Sequence, residues 1–141
     1  MNNLGYACIN MSLSERSKAL RITTNRTMIK RTYKDRGIEY ASELALLNIR
    51  DLYTILQWNV SHGIYFYRLS SNILPWASEY DLVDMPNFGA IHAAALKAGN
   101  YAREHGIRLT SHPGPFNKLA SPKERVYQLT KTDLSVHGDL F

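Results

Sequence analysis

The chain has 141 residues, of which 45% are hydrophobic and 21% are charged, the composition of one globular domain rather than of a disordered segment. Its single cysteine, Cys8, excludes an internal disulfide and a zinc site built from cysteines. No apolar stretch approaches the roughly 20 residues that a membrane span requires, and the amino terminus lacks a secretion signal. We therefore expect no membrane partner and a protein that is not secreted, located in the cytoplasm or in the interior of a host cell.

The net charge of +5 comes entirely from the first 40 residues. They hold eight lysines and arginines against three acidic residues, whereas the rest of the chain holds nine of each sign. Residues 12–37 are also polar and without a clear period, which predicts a long basic loop between the first strand and the first helix. Such a loop suits phosphate groups, because each neutralised phosphate releases counterions. A solvated loop without a ligand is the alternative.

Three strands alternate with three helices along the chain. The apolar runs predict strands over residues 4–9 and 64–71 and from residue 107, and the spacing of apolar residues predicts helices over 38–61 and 86–104. One face of the second helix carries Phe88, Ile91, Ala95, Ala98 and Ala102, and its small residues permit close packing on a sheet. Ser121 followed by Pro122 and Glu124 predicts the start of a third helix. The junction helix–His–Gly–Ile–strand occurs twice, at 62–64 and at 105–107.

Each loop that follows a strand is longer than the loop that follows a helix, which marks the carboxyl ends of the strands as the working face. Three parallel strands with three helices cover less than half of a (β/α)₈ barrel, which takes roughly 250 residues. The fold class is therefore predicted to be α/β, a partial TIM barrel of about three β/α units in a single domain spanning 1–141. On this interpretation the remainder of the barrel is missing. A small open three-stranded sheet is the competing possibility.

The third strand ends in a histidine that is followed directly by Pro and Gly, residues that terminate a strand. The sequence Ile107-Arg108-Leu109-Thr110-Ser111-His112-Pro113-Gly114 places His112 on a rigid element where the backbone turns away. In α/β folds, ligands and catalytic groups lie at this end of a strand. His112 is therefore a candidate site residue, and a surface histidine at a turn is the alternative.

Several stretches, taken in order, resemble the UV damage endonucleases, repair enzymes that nick DNA beside photoproducts. The stretches are Gly5-Tyr6-Ala7-Cys8-Ile9-Asn10, Thr23-Thr24-Asn25-Arg26-Thr27, Asn48-Ile49-Arg50-Asp51-Leu52, Gln57-Trp58-Asn59, His62-Gly63-Ile64, Arg68-Leu69-Ser70-Ser71 and Ser111-His112-Pro113-Gly114. The resemblance covers the chain from Leu4 to about Leu140. It implies a TIM barrel similar to endonuclease IV, with divalent metal ions at the carboxyl ends of the strands.

The resemblance implies that His112 is a metal ligand and thereby a catalytic residue. Glu79 stands in Trp76-Ala77-Ser78-Glu79, where many relatives carry Ala-Ser-His with a further metal ligand. A carboxylate in that position favours a hard cation, so we expect Mn²⁺, with Mg²⁺ or Zn²⁺ as alternatives. An exposed loop glutamate without a ligand is the alternative for Glu79.

The resemblance also implies contacts with the damaged DNA. Tyr6 and Asn10 match positions that face the lesion in the family, and Tyr6 would offer a stacking face to an unpaired base. Its alternative is an aromatic residue that fills the barrel mouth. Arg26 and Arg68, by match and by placement near loops, are candidates for phosphate contacts.

Relatives commonly carry Gln-Tyr or Gln-Phe after the glycine turn, a pair that probes the lesion by wedging into the duplex. This chain has Pro115-Phe116 instead. Phe116 keeps an aromatic wedge, whereas Pro115 has no side-chain hydrogen-bonding group. The resemblance therefore implies a lesion-binding pair whose mode of reading the lesion differs from that of relatives.

The resemblance implies part of a metal-dependent endonuclease that nicks the phosphodiester backbone of double-stranded DNA next to UV photoproducts, in association with the nucleoid. Further metal ligands of the family would follow Phe141, so a second chain that completes the barrel is a candidate partner, and we expect the chain alone not to nick irradiated DNA. A catalytically inactive fragment, a DNA-binding module that uses the basic loop and a sugar-isomerase-like barrel fragment are the alternatives.

Overall fold

A computed structural model describes residues 4–15, 20–111, 113 and 117–138. The strands are β1 (Gly5–Ala7), β2 (Phe66–Arg68) and β3 (Arg108–Thr110), and the helices are α1 (Met11–Ser14), α2 (Lys30–Ser61), α3 (Phe88–Glu104) and α4 (Glu124–Gly138). Two 3₁₀ turns, Ala77–Glu79 and Leu82–Asp84, lie between β2 and α3. Among the described helices, none is both long enough and apolar enough to cross a membrane.

The three strands form one parallel sheet in the order β1-β2-β3. Tyr6, Tyr67 and Leu109 are neighbours in the register and share one face of the sheet. This face packs against α2 and α3, and Tyr67 is fully buried there. The predicted α/β class is confirmed, and each strand joins the sheet beside its predecessor in the sequence.

The long helix α2 buries a stripe of residues spaced three and four apart, as the sequence predicts. Its buried apolar members are Ala41, Leu44, Ala45, Ile49, Leu52, Ile55 and Leu56. Helix α3 is confirmed as well, and its Ile91, Ala98 and Ala102 are buried against the same core. The small side chains of α3 let this helix approach α2 closely, since a methyl group occupies little of the space between two helices.

The predicted loop over residues 12–37 is wrong in two places. Residues 11–14 form the short helix α1, and α2 begins at Lys30 rather than at residue 38. Gly37 interrupts α2 with φ +64° and ψ −159°, a conformation that residues with a Cβ rarely adopt. Because glycine and a high density of charge conceal the apolar period, the helical turns before Gly37 are not evident from the sequence.

Other boundaries and faces also differ from the sequence predictions. Each strand has three residues, so the predicted strands are too long at both ends. β1 is exposed at Gly5 and Ala7, because only one face of the sheet is covered by helices in the described structure. Phe88 is exposed rather than packed, and α4 begins at Glu124, three residues after Ser121, whose Oγ accepts a hydrogen bond from the Lys123 N–H.

The two helix–His–Gly–Ile junctions share one local structure. In each, the histidine ring stacks on the aromatic residue four positions earlier, His62 on Trp58 with 3.8 Å between ring centroids and His105 on Tyr101 with 4.0 Å. Each histidine Nδ1 also lies 2.8 or 2.9 Å from the carbonyl oxygen of that aromatic residue. A glycine with φ +69° or +66° then ends the helix. The repeat seen in the sequence is thus a structural repeat.

Candidate functional site at the carboxyl ends of the strands

Residues 20–29, which precede α2, lie across the carboxyl ends of β1 and β2 and are called the segment after β1. Thr24, fully buried, places its Oγ1 3.0 Å from the Tyr67 hydroxyl and 3.4 Å from the carbonyl oxygen of Cys8. The Tyr67 hydroxyl donates to the same carbonyl at 2.9 Å. Burial raises the pKa of Tyr67, and a phenol that stays neutral remains a hydrogen-bond donor. The segment is therefore fixed to the sheet by buried side chains.

Asn48 of α2 ties the segment after β1 to the segment after β2. It is fully buried, and its Oδ1 accepts a hydrogen bond from the Arg26 N–H at 3.0 Å. Its Nδ2 lies within 3.0 to 3.2 Å of the carbonyl oxygens of Arg26, Asn72 and Ile73. One carboxamide thus satisfies backbone groups of two strand-end segments, which a buried backbone requires.

A polar cluster at the strand ends consists of Asn25, Ser70 and Asn72. The Oδ1 of Asn25 accepts hydrogen bonds from the Ser70 hydroxyl at 2.5 Å and from Asn72 Nδ2 at 3.1 Å. The Ser70 Oγ accepts a hydrogen bond from the Asn72 N–H at 3.1 Å, and Ser70 is buried. The cluster links the segment after β1 to the end of β2, two residues beyond Arg68.

Arg26, a predicted phosphate contact, is partly buried, and its guanidinium has partners within the protein. Its Nη2 lies 2.7 Å from Asp51 Oδ2 and donates to the carbonyl oxygen of Arg21 at 2.7 Å, and its Nη1 donates to the carbonyl oxygen of Thr23 at 2.6 Å. Asp51 also accepts a hydrogen bond from the Thr23 N–H. Asp51 neutralises the charge of Arg26, and the hydrogen bonds to the two carbonyl oxygens stabilise the segment after β1. This arrangement does not favour the predicted contact with DNA.

Tyr6 and Asn10, predicted to face the lesion, are connected to each other and to the helix layer. The Tyr6 hydroxyl donates to Asn59 Oδ1 at 2.6 Å and accepts from Asn10 Nδ2 at 2.8 Å. Burial raises the pKa of Tyr6, and the hydrogen bonds with Asn10 and Asn59 oppose that shift. Asn10 is buried and caps α1, because its Oδ1 accepts from the Leu13 N–H. Both polar groups have internal partners, and contact with a lesion stays a prediction.

Arg68, the other predicted phosphate contact, lies on the exposed face of the sheet. Gly5, Ala7, Phe66, Arg68, Arg108 and Thr110 share this face by register. Arg68 has no ion pair or side-chain hydrogen bond within the described part of the chain, and the Arg108 guanidinium lies 5.6 Å from the centroid of the Phe66 ring. Arg68 therefore offers its charge at the carboxyl end of β2.

Glu79, a predicted metal ligand, is exposed in the first 3₁₀ turn after β2. It lines a cleft of about 390 Å³ together with Ser78, Asn117, Thr130 and Asp133. Asp133 accepts a hydrogen bond from Asn117 Nδ2. The described residues contribute carboxylate oxygens here, but no group of three His, Cys, Asp or Glu residues among them could hold a metal ion. They do not by themselves fit a metal site.

His112, Pro115 and Phe116 lie outside the described residues. The strand that precedes them is described, and β3 ends at Thr110, so the prediction that residue 112 follows a strand end is consistent with the position of β3. Their roles as metal ligand and as lesion-binding pair stay predictions.

Part of the predicted basic loop is helical and is fixed beside the segment that carries Glu79. Tyr33 stacks on Trp76 with 5.1 Å between centroids and 7° between planes, and Trp76 Nε1 donates to the carbonyl oxygen of Met28 at 3.0 Å. Burial and the nearby Glu79 carboxylate raise the pKa of Tyr33. Lys30, Arg31 and Lys34 are exposed on this first part of α2. We name these three side chains the basic ridge.

The sequence pattern did not indicate Asn48, Asp51 or Asn25 as candidate site residues. A signal was present, because Asn48 and Asp51 stand one turn apart beside Ile49 and Leu52 on the side of α2 predicted to be buried. Polar residues in such positions need partners, and the partners are backbone groups of neighbouring segments. Asn25 carries no comparable signal, since polar residues in a loop are common.

The parallel sheet with helices on one face defines an α/β protein, and the polar segments at its carboxyl edge are its candidate site. The model of the family UV-endonuclease UvdE matches residues 2–141, so the chain belongs to that family. This confirms the resemblance found in the sequence.

Curated relatives carry names that agree with the family. The chain is 39% identical to a provisionally named UV-damage endonuclease of Acanthamoeba polyphaga mimivirus, over 97% of this chain and 41% of the relative. It is 35% identical to the UV-damage endonuclease of Schizosaccharomyces pombe, over 97% of this chain and 22% of the relative. The crystal structure of SacUVDE is similar with a TM-score of 0.81 at 28% identity, over 96% of this chain and 43% of that one. The chain thus spans less than half the length of these relatives.

Proposed function

We propose that this chain provides the first β/α units of a TIM-barrel endonuclease that repairs UV-damaged double-stranded DNA by nicking the backbone beside the lesion. The observation that supports this most directly is the family match over residues 2–141, in which nearly the whole chain participates. The long polar segments at the carboxyl edge of the sheet agree with a site at that edge. The nuclease would act where the DNA is, at the nucleoid or in the interior of a host cell.

The proposed chemistry uses divalent metal ions, with Mn²⁺ favoured over Mg²⁺ and Zn²⁺. A bound metal would supply Lewis acidity and a nucleophilic water for phosphodiester hydrolysis. Glu79 supports the proposal because it is exposed after β2 and forms no ion pair among the described residues. His112 would contribute the ligand after β3. Two such side chains need further ligands from other strands, which a second chain or a longer form of this one would provide.

The proposed DNA-binding surface combines Arg68 at the strand end with the basic ridge on α2. Both lie at the carboxyl edge, because α2 runs from the segment that follows β1 towards the start of β2. Cations in such positions neutralise backbone phosphates without reading the sequence. Tyr6, Asn10, Pro115 and Phe116 remain proposed lesion contacts.

The test uses supercoiled plasmid, UV-irradiated or not, with Mn²⁺ or with a chelator. We expect no nicking by the 141-residue chain alone, and nicking of irradiated plasmid with Mn²⁺ by a chimera that continues this chain with the remaining part of the mimivirus relative. Replacing His112 and Glu79 by Ala in the chimera should abolish the cleavage. A chimera that folds but nicks irradiated and untreated plasmid equally would contradict the proposed lesion specificity, and nicking in the presence of chelator would contradict the metal dependence.

A further inference from the structure

Asn25 has a carboxamide whose orientation is fixed by its neighbours. The amide Nδ2 of Asn72 donates to the Oδ1 of Asn25 at 3.1 Å. The Ser70 hydroxyl supports the same orientation, because it donates to that oxygen at 2.5 Å while its own oxygen accepts from the Asn72 N–H. Two donors therefore hold one side of the Asn25 carboxamide.

The Nδ2 group of Asn25 lies on the side of the carboxamide that Ser70 and Asn72 do not contact. No residue of the described chain accepts a hydrogen bond from it, and it is not among the buried polar atoms that lack a partner. Its N–H groups are thus presented to solvent at the carboxyl edge of the sheet. Asn48 fixes the next residue, since its carboxamide binds both the N–H and the carbonyl oxygen of Arg26.

A second donor lies close by along the chain. Arg68 precedes Ser70 by two residues at the end of β2 and is exposed, and it forms no ion pair with the described residues. A preoriented amide donor and an unneutralised guanidinium at one strand end make a suitable binding place for an oxyanion, because neither group must give up an internal partner on binding.

We propose that Asn25 is a substrate-binding residue, whose Nδ2 donates hydrogen bonds to a backbone phosphate of duplex DNA beside Arg68. This inference rests on the proposed function, in that duplex DNA is the ligand. It differs from the phosphate contact predicted for Arg26, whose guanidinium already has internal partners. Because a phosphate carries no sequence information, the contact should be equally strong on unrelated sequences.

The structure offers a substitution that separates binding from folding. In Asn25→Asp the carboxylate still accepts from Ser70 and Asn72, so the cluster stays intact, but the outward donor is lost and is replaced by a group that repels phosphate. Asn25→Leu has a similar shape without donors or charge. Asn100→Asp is the matched control, because it makes the same chemical change on the exposed surface of α3.

The experiment measures the dissociation constant for two short duplexes of unrelated sequence by fluorescence anisotropy, and the melting temperature of each variant by circular dichroism. We expect Asn25→Asp to weaken binding at least about tenfold on both duplexes, as befits hydrogen bonds to a charged group. Asn25→Leu should weaken binding in the same direction. The melting temperature of Asn25→Asp should stay near that of the parent chain, and Asn100→Asp should bind as the parent does.

The outcomes separate this inference from the function on which it rests. A parent chain that binds both duplexes, while Asn25→Asp binds as tightly as Asn100→Asp, overturns the role of Asn25 and leaves the proposed function intact. A loss on one duplex only also overturns it, since that result indicates a base contact. A folded parent chain that binds neither duplex overturns this inference, whereas the plasmid assay decides the nuclease function separately.

Discussion

Asn48 is the residue on which the arrangement of two strand-end segments depends. Its replacement by Ala removes the partner of three carbonyl oxygens and of the Arg26 N–H, all of them buried or partly buried, and leaves a cavity. We expect Asn48→Ala to lower the free energy of unfolding by about 3 kcal/mol, since each buried group left without a partner costs about 1–3 kcal/mol. Urea denaturation followed by circular dichroism measures the change.

Asn100→Ala is the control for this prediction, because Asn100 is exposed on α3. A surface substitution of this kind changes the unfolding free energy by no more than about 0.5 kcal/mol. Equal unfolding midpoints for the two variants would show that Asn48 does not hold the segments together.

Gly5 is the residue at which the sheet leaves no room for a side chain. A Cβ there would lie 2.2 Å from Phe66 Cδ1 and 2.5 Å from the Phe66 carbonyl oxygen, and the carbonyl belongs to the paired strand. We therefore expect Gly5→Ala to destabilise the chain by about 1–3 kcal/mol through overpacking, measured as a shift of the urea midpoint.

Gly89 provides the matched comparison for Gly5. It lies in the first turn of α3, where a Cβ would meet nothing within 4 Å, so Gly89→Ala should stabilise the chain by at most about 1 kcal/mol. If Gly5→Ala were as stable as Gly89→Ala, the close approach of β1 and β2 at this point would be wrong.

At the scale of single residues, the sequence located the polar side chains near the strand ends but did not show their hydrogen-bond partners. Tyr6, Asn10 and Arg26 stand in or beside the strand-end segments, as predicted, but their polar groups have partners within the protein. A side chain's hydrogen-bond partners are set by segments distant in the sequence. Asp51, which neutralises Arg26, is 25 positions away, and no local sequence pattern predicts this ion pair.

Among the elements, the start of α2 gives the most direct prediction about DNA binding. Among the described residues, only Arg31 of the basic ridge has an acidic ion-pair partner, Asp35 at 4.0 Å, and both side chains are exposed, so that the pair neutralises little. We expect replacing Lys30, Arg31 and Lys34 by Ala to weaken duplex binding and to lower the salt dependence by about 0.9 per lost phosphate contact. Binding isotherms at several salt concentrations measure both quantities.

A control with the same loss of charge uses Arg50, Lys97 and Arg103, which are exposed farther along α2 and α3. Replacing these three by Ala removes the same charge away from the carboxyl edge, so the salt dependence should be nearly that of the parent chain. An equal reduction in both variants would mean that net charge, and not the position of the basic ridge, governs binding.

The helices were predicted better than the segments between them, for a physical reason. The stripe of α2 from Ala41 to Leu56 and the small face of α3 are periodic, and burial against one sheet imposes that period. The helical turns before Gly37 have no buried stripe of their own. They are held by the stack of Tyr33 on Trp76, a contact between segments far apart in the sequence.

For the molecule as a whole, the order of strands and helices could be predicted, and so could their parallel arrangement. Closure into the proposed barrel could not be predicted, because it depends on strands other than β1, β2 and β3. The exposed face with Phe66, Arg68 and Arg108 would become the interior of the proposed barrel. Arg108, at the start of β3, would need a carboxylate opposite it in such an interior, since an unpaired buried charge is costly, whereas Arg68 lies at the open carboxyl end of β2.

The order β1-β2-β3 also has a consequence for how the chain is made. Each strand pairs with its neighbour in the sequence, so every pairing is available as soon as the next strand has emerged from the ribosome. The sheet can therefore grow during synthesis, from the amino terminus onward, without waiting for a distant segment. Each pairing still closes a long loop, since Gly5 pairs with Phe66 and Phe66 with Arg108, and parallel pairing over such separations is intrinsically slow.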